Sequence, residues 1–238
     1  MPSKKVRLFI VEGDTDETAF GLLLERLIQS NLIDFDVFRS DIFGHVRLGA
    51  GEDKIMREPN ILKRVDKVVS EHIDREVYDW KDLEDIVLLT DTDGCFIDNS
   101  LVVEDPSIEA VEYHHDSIVV PIGSTVRMRN NERSANIMRV VGRGKLRKRG
   151  REMPVTVYYL SRNLEHALHG EGGNLSTKRK VRLAREFASR YKADPNRFVT
   201  FLRDDLACPG DYGQSWEYIQ QGTHSLERGS NLHLLFEP

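Results

Sequence analysis

No apolar run in this 238-residue sequence approaches the roughly 20 residues that a membrane-spanning helix needs, so no membrane association is expected. The opening residues, Met1-Pro2-Ser3-Lys4-Lys5-Val6, lack the apolar core and cleavage pattern of a secretory signal. The expected location is therefore the cytoplasm. Cysteine is scarce. Cys95 and Cys208 are far apart and neither belongs to a CxxC pair, which argues against a disulfide framework or a cysteine zinc site. Internal repeats and low-complexity tracts are also missing. A net charge of −5 argues against a protein that simply coats nucleic acid. What is present is 39% hydrophobic and 31% charged residues, the balance of a globular chain long enough to bury a core.

The apolar pattern alternates between strand and helix signals. Val6–Val11 is a short run of β-formers, closed by Glu12-Gly13-Asp14. Asp14 followed by Glu17 has capping-box spacing, and Phe20, Leu23, Leu24, Leu27 and Ile28 repeat at helical spacing. Phe35–Phe38 reads as a weak strand and Ser40–Pro59 as an irregular loop containing Gly44, Gly49 and Gly51. Leu62, Val65, Val69, Ile73 and Val77 form a helical stripe. Asp85–Thr90 is continuously apolar after its first residue, the pattern of a parallel strand buried on both faces. Further strands are expected at Ser117–Pro121 and Pro154–Leu160, with partial helix around Ser134–Val141. Helices are expected at Asn163–Leu168, Thr177–Tyr191, Pro195–Leu202 and Gly213–Gln221. Strands alternating with helices predict an α/β fold, a mostly parallel Rossmann-like sheet flanked by helices. The expected division is a core at 1–168, with a basic insertion near 127–151, and a helical extension at 169–238.

In such sheets functional groups gather at the carboxyl ends of strands. Glu12 follows the first strand, and Asp91 and Asp93 follow the strand at 85–90. In extended chain Asp91 and Asp93 face the same way. Clustered carboxylates repel unless a cation neutralises them, and Mg²⁺ (or Mn²⁺) prefers oxygen ligands. The plainer reading of these acids is turn formation and helix capping, which is preferred for Asp14 and Asp16. Residues 127–151 hold ten Lys/Arg against one acid, Glu132, a local charge of +9 that leaves −14 for the rest. Lys145, Arg147, Lys148, Arg149 and Arg151 are the expected phosphate contacts, with Arg127, Arg129 and Arg133 next. A solvated basic loop without a partner is the competing reading. Few aromatics interleave these cations, so base stacking is not expected.

The segments Leu8-Phe9-Ile10-Val11-Glu12-Gly13-Asp14-Thr15-Asp16-Glu17 and Val87-Leu88-Leu89-Thr90-Asp91-Thr92-Asp93-Gly94 resemble, in order, the two signature motifs of TOPRIM domains. Tyr158–Leu168, with Asn163-Leu164-Glu165, is similar to a third segment of the OLD-family type of TOPRIM nuclease. The resemblance implies that Glu12 acts as general acid/base or metal ligand and that Asp91 and Asp93 hold Mg²⁺. It implies that Glu165 contributes to a second metal position, against the plain reading of a first-turn helix acid. It further implies a stand-alone metal-dependent nuclease (hydrolase) acting on DNA or RNA, in the setting of phage defence. No segment resembles the ATPase, zinc-ribbon or tyrosine domains that accompany other TOPRIM proteins, and 40–59 and 127–151 have no counterpart in the motifs.

The alternatives are a non-catalytic module that binds nucleic acid or a partner protein, and a phosphatase or receiver domain on a similar sheet. An activating protein partner and a homodimer through Trp216 and the aromatic tail are compatible with the sequence. Glu112-Tyr113-His114-His115-Asp116 is a weak metal candidate, because adjacent residues of a strand point to opposite faces. Glu165 and His169 share a helical face, and Arg228 is read as a cap or ion-pair partner before a phosphate ligand.

Overall fold

The computed structural model describes residues 5–28, 33–44 and 58–237. In chain order the elements are β1 (Lys5–Val11), α1 (Asp14–Ile28), β2 (Ile33–Arg39), α2 (Ile61–Ile73) and β3 (Leu83–Asp91). There follow β4 (Val102–Glu104), β5 (Glu112–Tyr113), β6 (Ile118–Val120), α3 (Val126–Arg143), β7 (Lys145–Lys148) and β8 (Arg151–Ser161). The chain ends with α4 (Leu164–His169), α5 (Thr177–Tyr191), α6 (Asn196–Asp205), α7 (Tyr212–Ile219) and β9 (Gly229–Ser230). This is an α/β fold with a mostly parallel sheet flanked by helices. The contacts divide it into two compact units, each built from two stretches of chain. The first is Met1–Leu89 with Ala135–Val157, the second Thr90–Ser134 with Tyr158–Pro238.

In the first unit the strand order is β2-β1-β3-β8-β7. β1 runs parallel to both neighbours, pairing Ile10 with Phe38 on β2 and with Leu88 on β3. Leu8, Phe9, Ile10 and Val11 are buried, as a parallel strand covered on both faces requires. Ala19, Phe20, Leu23 and Leu24 of α1 are buried too, and each large apolar side chain stabilises by about 1.5–3 kcal/mol. The cap of α1 differs from the expectation. The helix starts at Asp14, and Gly13 stands at its N-cap, with its N–H donating to Asp16 Oδ2 at 3.0 Å and its carbonyl accepting the Glu17 N–H. Asp14 pairs with Arg39 instead.

Helix α2 is capped by Asn60, whose side chain accepts from the Leu62 and Lys63 amides. Its stripe of Ile61, Val65, Val68, Val69 and Ile73 is buried. The expected last member, Val77, is fully exposed, because the helix stops at Ile73 and the chain turns away. Arg64 is fully buried and donates to the carbonyls of Ile42, Gly44 and Glu58. Of the expected loop at 40–59, Gly49 and Gly51 lie outside the described residues.

The basic stretch expected to be partly helical is an 18-residue helix, α3, followed by the antiparallel β7–β8 hairpin. Arg149 and Gly150 join the two strands, both with positive φ (50° and 80°), the backbone that a twisted two-residue hairpin turn requires.

In the second unit, β4 is parallel and β5 antiparallel to β6. Ile97, Val102, Ile118, Val120, Val126 and Leu226 form its small core. The last residues of β8 pair antiparallel with β9, Leu160 to Ser230 and Ser161 to Gly229. Trp216 on α7 is buried with its ring 4.9 Å from that of Tyr159, and the Tyr159 hydroxyl donates to the Ser215 carbonyl at 3.0 Å. α7 opens with a full capping box, Asp211 and Gln214 bonding reciprocally. Phe187, Tyr191, Phe198 and Phe201 join α5 to α6 through edge and tilted ring contacts.

Candidate metal-binding acidic site

The segment Asp91-Thr92-Asp93-Gly94 is fixed by its backbone. The Thr92 N–H donates to the Leu160 carbonyl at 3.0 Å, and the Asp93 N–H to the Arg162 carbonyl at 2.7 Å. The Cys95 N–H closes a turn onto the Thr92 carbonyl. Asp93 and Gly94 are both left-handed, with φ of 49° and 65°. Extended chain therefore ends at Asp91, and the alternation that was expected to put Asp91 and Asp93 on one face does not extend across this turn. A Cβ at position 94 would stand 2.7 Å from Leu226 Cδ2, so the turn requires glycine for room as well as for backbone angle.

Arg133 of α3 grips this loop. Its Nε and Nη2 donate to the Asp91 carbonyl at 3.0 and 2.7 Å, Nη2 also reaches Thr90 Oγ1, and Nε is 3.8 Å from Asp93 Oδ2. Arg133 is buried, so its charge acts at low dielectric on the acids beside it. Cys95 is buried as well, and burial pushes its thiol up to about 12, which keeps it protonated and unreactive at neutral pH.

The hydrogen bond from Asp93 to Arg162 brings the loop next to the turn that opens α4. There Asn163 caps the helix by accepting the His166 N–H at 3.0 Å, and Glu165 sits in the first turn. Glu165 is only 4% exposed. Its Oε2 accepts from Lys180 Nζ at 3.1 Å, while its Oε1 is buried with no hydrogen-bond partner among the described residues. One turn on, His169 Nε2 is in the same condition, and burial together with the charge of Arg190 pushes that imidazole's pKa down. Arg162 donates to the carbonyls of Tyr113 and Gly172 and lies 5.1 Å from the Tyr113 ring centre. Burial and the Asp93 charge raise the Tyr113 phenol above its usual range, against the opposing charge of Arg129, which donates to its oxygen at 3.2 Å.

Of the expected acidic residues, Asp91, Asp93 and Glu165 belong to the second unit, and the backbone links just described join their segments. Glu12 belongs to the first, half-buried directly after β1. The second-unit donors are all oxygen, and Glu165 Oε1 is buried without a hydrogen-bond partner among the described residues, a donor type that fits a hard cation such as Mg²⁺. Among the described residues, the group of three whose ligand atoms already lie within 4.8 Å of one another is a different one, Asp36, His72 and Glu76 of the first unit.

No family model, curated protein or solved structure matches this chain.

The five expected phosphate contacts all have partners within the first unit. Lys145 and Arg147 share Glu152, at 2.7 and 3.6 Å. Lys148 is held by both oxygens of Asp66, by Ser70 Oγ and over the Trp80 ring. Arg149 pairs with Asp79, and Arg151 donates to the Lys81 carbonyl. Arg127 is likewise engaged, by the Asn99 and Val102 carbonyls and by Glu104.

A more open basic surface lies on α5, a feature that sequence reasoning missed. This helix carries six Lys/Arg against one acid, Glu186. Lys178, Arg182 and Arg185 fall on one exposed face, where Lys178 and Arg185 form no ion pair among the described residues and Arg182 is 3.7 Å from Glu186. Counting charge within the predicted helix would have revealed it.

The smaller candidates take their plainer readings. His114 and His115 pair singly with Glu112 and Asp116 at the surface. Arg228 donates to the Ala167 carbonyl in the last turn of α4 and lies 5.8 Å from the Phe201 ring centre.

Proposed function

We propose that this protein is a divalent-metal-dependent enzyme that cleaves or rearranges phosphodiesters in DNA or RNA, with Asp91, Asp93 and Glu165 as the cation's ligands. The observation that carries the reading is the Asp93 N–H bond to Arg162. It sets the Asp-x-Asp loop beside the capped turn in which Glu165 presents a bare buried oxygen. A Mg²⁺ or Mn²⁺ ion bound there would supply an activated water and neutralise charge on the phosphate. The protein's own part is positional. Arg133 holds the loop by the Asp91 carbonyl, and Arg162 and Arg129 hold Tyr113 beside it. Lys180 pairs with Glu165 at 3.1 Å and balances its charge. The exposed face of α5 is the proposed rest for the sugar-phosphate backbone, because its cations are less engaged than those of the hairpin. Glu12 stays an expectation of the sequence, to be tested by its own variant.

A second reading is favoured by the same Lys180–Glu165 pair, which stabilises Glu165 without a metal ion. In that reading the protein is a non-catalytic module for nucleic acid or a protein partner, and the helical N-terminus of α4 is purely structural.

The deciding experiment incubates purified protein with labelled single- and double-stranded DNA and RNA, in Mg²⁺, Mn²⁺ or EDTA. Wild type is compared with Asp91→Asn/Asp93→Asn, Glu165→Gln and Glu12→Gln. Cleavage that needs metal and disappears in the first two variants is the expected result. Binding without cleavage, unchanged in every variant, selects the second reading.

A further inference from the structure

In the first unit, Asp36 of β2, His72 of α2 and Glu76 just after α2 place one oxygen, one nitrogen and one oxygen within 4.8 Å of one another. His72 and Glu76 are four residues apart. The backbone keeps turning past the end of α2, with the Arg75 and Glu76 amides donating to the His72 and Ile73 carbonyls. Those tight turns keep the Glu76 carboxylate within reach of His72.

The imidazole of His72 is oriented before any ligand arrives. Its ring stacks on Phe38 at 3.8 Å with 8° between the planes, which leaves its Nε2 2.7 Å from Asp36 Oδ2. The Tyr78 hydroxyl donates to the same carboxylate oxygen. This is the pattern of a metal ligand fixed by an outer partner, in which a neighbouring donor holds the coordinating carboxylate in place. Glu76 is exposed, so the cluster is open to solvent on that side.

The geometry points to a second metal site at Asp36, His72 and Glu76 that takes a zinc-class divalent ion (Zn²⁺ or Co²⁺) with water in the remaining position. The mixed nitrogen and oxygen donors decide the class. Imidazole suits zinc and its neighbours, whereas Mg²⁺ takes oxygen. Three protein ligands and one open position are the usual number for an accessible zinc. The fit needs a small adjustment. Ligand atoms on a tetrahedron with bonds of about 2.0 Å are about 3.3 Å apart, so His72 Nε2 and Asp36 Oδ2 must part by roughly half an ångström. The proton between them leaves to solvent as the ion enters, and His72 binds as neutral imidazole. Because β2 is the end strand of its sheet, such an ion would fasten that edge to the end of α2.

The test uses the full chain stripped with a chelator and titrated with Zn²⁺ by calorimetry, and with Co²⁺ by its visible absorption. Wild type, His72→Ala, Glu76→Ala and Asp91→Asn/Asp93→Asn are compared. One equivalent of Zn²⁺ is expected in wild type, with affinity at least tenfold weaker in His72→Ala and several-fold weaker in Glu76→Ala. The double aspartate variant should bind Zn²⁺ as wild type does. Glu76 is exposed, so its variant reports on the site even if His72→Ala unfolds the chain. Absence of stoichiometric Zn²⁺ binding overturns the proposal, as does affinity that is the same in wild type and Glu76→Ala. Zn²⁺ binding that is lost only in the aspartate variant overturns it too.

Discussion

Asp36, His72 and Glu76 in the first unit and Asp91, Asp93 and Glu165 in the second are both groups of potential metal donors, and they are held in opposite ways. In the first the side chains meet directly, with histidine and tyrosine hydrogen-bonded to one carboxylate. In the second the backbones meet, and the charges are met by cations, Arg133 beside Asp93 and Lys180 on Glu165. A cluster of side chains that satisfies itself selects an ion by donor type. In the proposed function, a cluster paired with arginine and lysine takes its metal ion together with a phosphate, which redistributes the charge. The first arrangement suits a resident ion and the second an ion that comes with substrate.

The largest expected effect breaks this comparison at the second group. Asp91→Asn/Asp93→Asn should lower Mg²⁺-dependent cleavage by at least about 10²-fold, the scale seen when a charge-stabilising group is removed from an active site. Zn²⁺ binding to the first group should not change. Loss of both functions together, checked on one preparation by gel assay and calorimetry, would show that the two groups are not independent.

Next is the turn itself. Gly94→Ala places a Cβ against Leu226 on a left-handed backbone, which should cost roughly 2–4 kcal/mol of stability in urea unfolding. An unchanged midpoint would mean that the turn is not under the constraint described. Lys180→Met removes the cation from buried Glu165. Because Lys180 is 39% exposed, the cost is discounted to roughly 1–2 kcal/mol. Mg²⁺ should restore more stability to this variant than to wild type in thermal melts, and equal shifts would argue against a cation at Glu165.

Much of this was legible in the sequence wherever the signal was local. The strands at 5–11 and 83–91 contain the continuous apolar runs 8–11 and 86–89, and the stripes of α1, α2 and α5 repeat at helical spacing, so their existence follows from burial alone. β5 and β9, of two residues each, are too short to carry any period. The β7–β8 hairpin was hidden because most of its outward positions are charged (Lys145, Arg147, Arg151 and Glu152), and charge masked the alternation. Asp91 and Asp93 were legible because they close a strand. The partners Arg133, Tyr113 and Arg162 were not, since they arrive from distant elements through backbone carbonyls and ring contacts. Lys148 and Arg149 looked available because Asp66 and Asp79, which engage them, lie far upstream, whereas Glu152, which engages Lys145 and Arg147, stands just past the basic stretch.

That last contrast gives a smaller effect. Lys178→Glu/Arg185→Glu on α5 should flatten the slope of log binding constant against log salt by about 2, whereas Lys145→Gln/Arg147→Gln should leave it nearly unchanged. The reverse pattern in fluorescence anisotropy would return the phosphate contacts to the hairpin. The smallest effect is acid sensitivity in the second unit. Burial lowers the pKa of His233 despite the opposing influence of Glu237, so the unfolded chain takes up the proton first. Its contribution to stability is full above about pH 6.5 and is lost as pH falls through the lower folded value. His233→Asn should reduce that slope in denaturant titrations, and an identical slope would remove His233 from the account.

The most direct measurement is a Mn²⁺ titration followed by electron paramagnetic resonance, with excess Mg²⁺ as competitor, on wild type, Asp91→Asn/Asp93→Asn, Glu165→Gln and His72→Ala. The account predicts a Mg²⁺-displaceable Mn²⁺ that is lost or at least tenfold weaker in the aspartate and Glu165 variants and retained in His72→Ala. Mn²⁺ binding that ignores Asp91, Asp93 and Glu165 would contradict it.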